Sequence, residues 1–154
     1  MSLSQNLVLG IGLLYVTLLF AAVDLASRTL TYANAGHPSG YVLDAAGAVK
    51  AVLKSNGLPL GMFADSRYAA SATIGLDAGD IVLLLTDGVS DGPLDSDRLA
   101  HEETILAAVR AHRDEPAASI VERIRDAARA GAGDKPQEDD ITVVVGKIGP
   151  VPRT

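Results

Sequence analysis

The sequence predicts a single-domain α+β fold. About six short strand-like segments precede the first clear helical pattern, and two helical patterns follow them. Strands grouped before helices are typical of this fold class. The chain has 154 residues, of which 48% are apolar, so it is large enough to bury a sizeable core.

The first apolar segment is predicted to end in a buried strand. Ser2 to Val23 contains no charged residue, and the almost entirely apolar part from Leu7 onward is long enough to suggest a membrane span. However, Gly10 and Gly12 interrupt it and no basic residue precedes it. We therefore expect a strand at Tyr15 to Val23 and no membrane span.

Turns and short strands then alternate up to the middle of the chain. In order, the pattern predicts a turn at Asp24 to Ser27, a strand at Thr29 to Ala33, a hairpin of strands Tyr41 to Leu43 and Val49 to Leu53 around Asp44 to Gly47, a rigid loop at Gly57 to Gly61, and a strand at Tyr68 to Ile74.

Two helices are predicted near the C-terminus. Apolar residues at helical spacing predict one from Glu102 to His112, with Glu102 and Glu103 close to its N-terminus. A second helix is predicted with Pro116 at its start and is expected to stop at Gly131.

The strongest strand signal in the chain ends in a carboxylate. Ile81 to Leu85 is an unbroken apolar run bounded by turn residues, which predicts a strand buried on both faces. Asp87 follows it directly after Thr86, and Gly88 allows the chain to turn there. By itself this pattern is more often a strand followed by a simple turn.

A second acidic motif changes that interpretation. Asp139 and Asp140 stand immediately before another predicted buried strand, Ile141 to Val145. If the two strands are adjacent and antiparallel, Asp87 and Asp139 face one cavity. Carboxylates on rigid elements suit a hard divalent cation such as Mg²⁺ or Mn²⁺.

Four short motifs follow one another along the chain: Asn34-Ala-Gly-His-Pro38, Gly57-Leu-Pro-Leu-Gly61, Thr86-Asp-Gly-Val-Ser-Asp91 and Asp139-Asp-Ile-Thr142. Together they resemble the signatures of the SpoIIE-type bacterial serine phosphatases, which belong to the metal-dependent type 2C (PPM) protein phosphatases. The resemblance implies an antiparallel β-sandwich flanked by helices (αββα), with two Mn or Mg ions that hydrolyse phosphoserine or phosphothreonine through an activated water. It also implies a regulatory phosphoprotein substrate such as an anti-sigma-factor antagonist.

The resemblance carries over to individual residues. It implies that Asp87 and Asp139 are metal ligands, and that Asp140 and Asp91 are neighbours of the ligands or further ligands. Gly88 and His37 are expected to shape loops of the site. His37 could also be a ligand or a general acid, since its unperturbed pKa is near neutral, but we expect it to hold its loop through hydrogen bonds.

The sequence departs from the family at its start. The upstream acidic motifs that supply further ligands are missing, and the nearest early acid, Asp24, lies in a predicted turn. We therefore expect the C-terminal part of a phosphatase domain, inactive alone and able to self-associate through the surface left exposed. The expected organisation is an expression leader and the domain start at 1–6, the truncated domain at 7–148 and a disordered tail at 149–154.

Two other functions are considered. The first is a non-catalytic interaction module with a degenerate phosphatase fold. The second is a haloacid-dehalogenase-like phosphotransferase, which ranks last because Asp91 lies four residues after Asp87 instead of two.

Composition limits the partners. The net charge of −6 and the lack of a basic cluster argue against nucleic acid. There is no cysteine, which excludes a thiol nucleophile and suggests the cytoplasm.

Overall fold

The computed structural model describes residues 15–86, 95–132 and 140–150. Within these residues the strands are β1 (Leu18–Asp24), β2 (Thr29–Ala35), β3 (Gly40–Leu43), β4 (Val49–Leu53), β5 (Ile74–Gly75), β6 (Ile81–Leu85) and β7 (Val143–Lys147). The helices, both between β6 and β7, are α1 (Asp95–Ala111) and α2 (Ala117–Ala132). The predicted α+β class is confirmed, and among the described elements six strands precede the first helix, as expected.

The described strands form two antiparallel sheets that pack face to face. One sheet has the order β1-β2-β5 and the other β4-β3-β6-β7. Leu30 of the first sheet lies in one buried cluster with Val42, Leu53 and Val82 of the second, and all four are at most 8% exposed. This apolar layer holds the predicted β-sandwich together.

A helical layer covers the outer face of the four-stranded sheet. Apolar side chains of α1 and α2 pack against Tyr41 and Leu43 of β3 and against alternate residues of β6. The helical members of this cluster are Ile105, Leu106, Val109, Ile120, Ile124 and Ala128. In the described part of the chain, helices cover only this sheet.

Strands β3 and β6 therefore belong to two apolar layers at once. Ile81, Leu83 and Leu85 face the helices, whereas Val82 and Leu84 face the other sheet. This alternation explains why the apolar run of β6 is unbroken, since both faces are covered. The prediction of a strand buried on both faces is confirmed for β6.

The same prediction is wrong for β7 and for the segment that contains β1. Both strands are at the side of their sheets in the described structure and pair with one neighbour each. Phe20 of β1 is 62% exposed and Val144 of β7 is 52% exposed. Apolar composition predicted the strands correctly, but burial also depends on how many elements surround a strand.

Three predicted boundaries also change. The strand expected at Tyr68 to Ile74 is reduced to the two residues of β5. Helix α1 begins at Asp95, well before Glu102, and residues of the Asp95-Ser-Asp97 type favour a helix start. Helix α2 passes Gly131 and ends at Ala132.

A network of charged side chains closes the end of the sheet where β6 begins. The Lys50 ammonium lies 2.7 Å from a carboxylate oxygen of Asp77 and 2.7 Å from one of Asp80. The side chain of Asp80 is only 2% exposed and also accepts the backbone N–H of Asp77. The hydrogen bond that Lys50 donates to Asp77 is the main cause that raises the pKa of Lys50, and the bond to Asp80 adds to it. The bond from Lys50 in turn lowers the pKa of Asp77.

No helix in the described residues is both long and apolar enough to cross a membrane. Residues 7–14 of the early apolar segment lie outside the described residues, and β1 occupies Leu18–Asp24 as a strand.

Candidate functional site

The two strands that lead into and out of the acidic motifs are adjacent and antiparallel, which is the arrangement that the interpretation of the two motifs required. The β6–β7 register pairs Leu85, the last residue of β6, with Val143, the first residue of β7. One step further, the backbone N–H of Thr86 donates to the carbonyl of Thr142 at 3.1 Å. The ends of both strands are therefore held together up to the residue before Asp87.

A side-chain hydroxyl adds two further bonds at this point. The Thr86 Oγ1 atom accepts the backbone N–H of Thr142 at 2.8 Å and donates to the carbonyl of Asp140 at 3.1 Å. We call this group of hydrogen bonds the Thr86 clasp. It links the residue before Asp87 to the residue after Asp139.

The described parts of the four motifs that carry the family resemblance lie at one end of the four-stranded sheet, which we call the acid end. Strand β3 begins and β4 ends there, because Gly40 pairs with Leu53. The pairing of Tyr41 with Leu83 brings the start of β3 to the end of β6. The loops at 36–39 and 54–61 thus enter or leave the sheet where β6 ends and β7 begins.

A buried asparagine organises the first of these loops. Asn34 is fully buried, and its side chain accepts the backbone N–H of His37 at 2.8 Å while donating to the carbonyl of Leu53 at 3.0 Å. It also donates to the carbonyl of Pro38 at 3.4 Å. One amide side chain therefore shapes the turn and ties it to the end of β4.

The loop at 54–61 packs directly onto this turn. The carbonyl of Asn34 accepts the backbone N–H groups of Asn56 and Gly57, each at 3.0 Å, and the N–H of Gly36 donates to the Ser55 hydroxyl at 2.9 Å. Gly36 has a φ of 71°, and a Cβ atom there would lie 2.5 Å from Cγ of Pro59. Only glycine permits both this backbone conformation and this close approach.

His37 makes hydrogen bonds within the protein. Its Nδ1 atom lies 3.0 Å from Oγ1 of Thr17, and its backbone N–H is held by Asn34. These contacts join the loop after β2 to the residue just before β1.

Most of the predicted ligands lie outside the described residues. Asp87, Asp91 and Asp139 are among them, as is the predicted loop-shaping residue Gly88, whereas Asp140 is described and exposed at the Thr86 clasp. Over the ranges 15–86, 95–132 and 140–150, the structure places no group of three or more histidine, aspartate or glutamate residues that could hold a metal ion.

Sequence reasoning missed the two polar residues that organise the acid end. Thr86 and Asn34 were named only as members of motifs, without a role of their own. Neither residue is acidic, and neither belongs to a periodic apolar pattern. A usable signal does exist for Thr86, since a hydroxyl residue stands directly between a buried strand and the acid that follows it.

The sequence matches a known family and individual relatives. The family model described as Stage II sporulation protein E (SpoIIE) matches residues 2–149. Phosphoserine phosphatase RsbP of Bacillus subtilis is 33% identical over 110 residues, which are 71% of this chain and 25% of RsbP. Protein IcfG of Synechocystis is 35% identical over 78 residues, which are 51% of this chain and 12% of IcfG.

A solved structure shares the fold. The phosphatase domain of the cell fate determinant SpoIIE from Bacillus subtilis, presoaked with Mn, superposes with a TM-score of 0.67 at 16% sequence identity. The match covers 97% of this chain and 62% of that one. The chain thus spans under two thirds of that solved domain and at most a quarter of the two relatives.

Proposed function

Since this chain belongs to the family of stage II sporulation protein E, we propose that it forms part of a metal-dependent phosphatase domain acting on protein phosphoserine or phosphothreonine. The main structural support is the Thr86 clasp, which joins the segments leading to Asp87 and Asp139. The name of the relative RsbP, a phosphoserine phosphatase, supports the same reaction.

In this proposal Asp87 and Asp139 are metal ligands at the acid end. Mg²⁺ and Mn²⁺ prefer oxygen ligands and keep several bound waters, so few carboxylates are needed from each segment. Asp140 and Asp91 stand beside them as orienting groups or further ligands, and Gly88 lets the chain turn after Asp87. His37 has a structural role, since its hydrogen bonds hold the loop at 36–39.

The chain's own residues position the reaction and supply no nucleophile. When bound, a pair of cations would provide an activated water and neutralise charge on the phosphate oxygens. The sequence contains no cysteine and no nucleophile elbow, which agrees with direct attack by water. The rigid strands β6 and β7 hold the two acid-bearing segments in a fixed relation.

We further propose that this chain alone is inactive, because the upstream acidic motifs of the family are missing from it. The alternative, a non-catalytic interaction module, rests on the same observation. Restoring those motifs in a longer protein separates the two functions, since only the phosphatase gains turnover.

The proposed substrate is a cytoplasmic phosphoprotein, for example an anti-sigma-factor antagonist. A second copy of this chain is a further proposed partner, because Leu18 and Phe20 expose apolar surface on β1. Sedimentation over a range of protein concentrations tests this association, and a monomer at every concentration would contradict it.

The experiment combines Mn²⁺ calorimetry with para-nitrophenyl phosphate hydrolysis, on this chain and on a longer form carrying the upstream acids. We expect turnover only in the longer form. We also expect Asp87→Asn and Asp139→Asn to abolish turnover with little loss of folding, because each removes a charge and no core volume. Asp24→Asn is the matched control, since Asp24 caps the β1–β2 turn with an oxygen that asparagine retains.

Two outcomes would contradict the proposed function. Turnover at the wild-type level in either aspartate variant would show that the site is elsewhere. If the longer form neither binds Mn²⁺ nor hydrolyses the substrate, the interaction module becomes the better description.

A further inference from the structure

We propose that two copies of this chain pair edge to edge through strand β1, in an antiparallel register centred on Ala21. This inference rests on the proposed association between two copies and deepens it, because it assigns the strand, the register and the groups that meet. It does not depend on the metal site.

The backbone of β2 shows which groups of β1 are left open. Both backbone polar groups of Tyr32 point away from β1, because its N–H donates to the Ser71 hydroxyl at 3.0 Å and its carbonyl accepts the N–H of Ser71 at 2.7 Å. Tyr32 lies opposite Ala21 in the β1–β2 register. The two residues therefore form a non-hydrogen-bonded pair, and the N–H and carbonyl of Ala21 point to the other side of β1. We call that side the open edge.

The same orientation recurs at every second residue of β1. Asn34 directs both of its backbone groups to the loop at 54–61, away from β1, and it lies opposite Leu19. Val23 follows Ala21 by two residues and has the same orientation. Leu19, Ala21 and Val23 thus present their N–H and carbonyl groups along the open edge, where no other described strand pairs with them.

Strand β1 lacks the features that protect the other described edges. Short length and lysine side chains oppose the pairing of an edge strand with another chain. Strands β4 and β7 have five residues each and carry Lys50 and Lys147, and β5 has only two residues. Strand β1 has seven residues and no charge before its last residue, Asp24. Among the described strands it is therefore the best suited to pair with a second copy.

A two-fold axis at Ala21 gives all the open groups a partner. Ala21 exchanges two backbone bonds with Ala21 of the second copy, and Leu19 and Val23 each exchange two with the other residue of the second copy. Phe20 then lies opposite Ala22 of the second copy, in a non-hydrogen-bonded pair, where side chains come closest. This register places a large side chain against a small one and covers part of Phe20, which is 62% exposed.

Charge does not oppose this register. The chain has a net charge of −6, but no residue from Tyr15 to Val23 is charged. The two Asp24 side chains lie at opposite ends of the paired strands, six residues or about 20 Å apart. This distance exceeds the Debye length of about 8 Å at physiological ionic strength, so their repulsion is largely screened.

The interface is small, which sets the expected affinity. Phe20 brings about 100 Å² of exposed surface from each copy, and the backbone bonds add little apolar area. Interfaces at the low end of the size range form weak and transient complexes. We therefore expect a dimer with a Kd in the micromolar range.

Sedimentation equilibrium tests the pairing. Ala21→Pro removes an N–H that points to the open edge, a position where an edge strand tolerates proline. The change acts in both copies, and the loss of two hydrogen bonds should weaken dimerisation by about 30-fold. Phe20→Lys should also weaken it. The matched control is Leu99→Lys, the same kind of change at a 63% exposed residue of α1, which covers the other sheet. It should leave dimerisation unchanged, and circular dichroism checks that each variant is folded.

Disulfide formation tests the register. The chain has no cysteine, so any cross-link comes from the introduced residues. Phe20→Cys mixed with Ala22→Cys should cross-link, because residues of a non-hydrogen-bonded pair have Cα atoms about 4.5 Å apart. Each variant alone should cross-link poorly, since its two cysteines are offset by two residues and their Cα atoms are about 8 Å apart. Mass spectrometry identifies the mixed product.

The outcomes separate this inference from the other proposals. A wild-type monomer at every concentration would overturn it together with the proposed association, and a segment of the same chain would be the better candidate for the open edge. A dimer that survives Phe20→Lys and a folded Ala21→Pro would keep the association and exclude β1. Equal cross-linking of single and mixed variants would exclude the register. None of these results touches the phosphatase proposal, which Mn²⁺ binding and turnover of the longer form decide.

Discussion

Replacing Asn34 by alanine should destabilise the protein far more than the loss of one surface hydrogen bond. The side chain is fully buried and bonds to the carbonyl of Leu53 and the N–H of His37, at 3.0 and 2.8 Å. Alanine leaves both backbone groups without this partner. An unsatisfied buried polar group costs about 1–3 kcal/mol.

The two groups do not contribute equally. The bond to Leu53 is buried, so its loss takes the upper part of that range, whereas the bond to His37 is partly buried and water can replace some of it. We therefore expect a loss of about 3 kcal/mol in the free energy of unfolding. In a protein of this size that lowers the midpoint of thermal unfolding by about 10 °C.

Urea denaturation at pH 7 measures the change, and an unchanged slope shows that the folded state remains compact. The control is Asn56→Ala in the facing loop. Asn56 also makes two side-chain bonds, to the N–H of Asn34 and the carbonyl of Ala69, but it is exposed. We expect it to cost about 1 kcal/mol, because its bond to Asn34 is part-buried and its bond to Ala69 is exposed. Equal losses in the two variants would refute the burial argument.

Two further predictions concern charged groups. Lys50→Met keeps the apolar stem but leaves the buried carboxylate of Asp80 without its cation, which should cost about 3 kcal/mol in urea denaturation. For Glu102, burial followed by an acidic neighbour raises the pKa of its carboxyl above the ordinary 4.5. The folded protein then binds that proton more tightly than the unfolded chain, so this group lowers stability as the pH rises through and above 4.5. Glu102→Gln should therefore raise the thermal midpoint at pH 7, and the gain should disappear well below pH 4.5.

Each of these predictions has its own control. Lys54→Met changes an exposed lysine just after the same strand, and a loss as large as that of Lys50→Met would argue against the ion pair. For Glu102→Gln the control is the pH series itself. A gain that stays constant from pH 3 to pH 7 would mean that ionisation is not its cause.

The sequence predicted the strands β6 and β7 at the acid end, but it did not predict how exposed individual strands are. The prediction that Asp87 and Asp139 face one cavity required two adjacent antiparallel strands, and the pairing of Leu85 with Val143 meets that condition. The exposure of Phe20 and Val144 was not predictable from composition, since it depends on which elements cover each strand.

The organising hydrogen bonds were also beyond sequence reasoning. A side chain that bonds to the backbone at a strand end, such as Thr86, follows no periodic pattern. The same is true of Asn34, whose partners lie in three different backbone positions. Threonine and asparagine occur in many kinds of loop, so their residue types alone did not indicate which backbone groups they would bond to. The three-dimensional structure was needed to identify those partners.

Because β3 and β6 pack in both apolar layers, they determine how the protein unfolds. Each strand contributes one set of side chains to the layer under the helices and the other set to the layer between the sheets. If either apolar layer opens, β3 and β6 lose the packing on one face and the other layer is weakened as well. We therefore expect the two layers to unfold together. These central strands make the helical layer and the sandwich one cooperative unit, and their amides are the last to exchange with solvent. Strand β1, which pairs only with β2 among the described strands, can open earlier than these central strands.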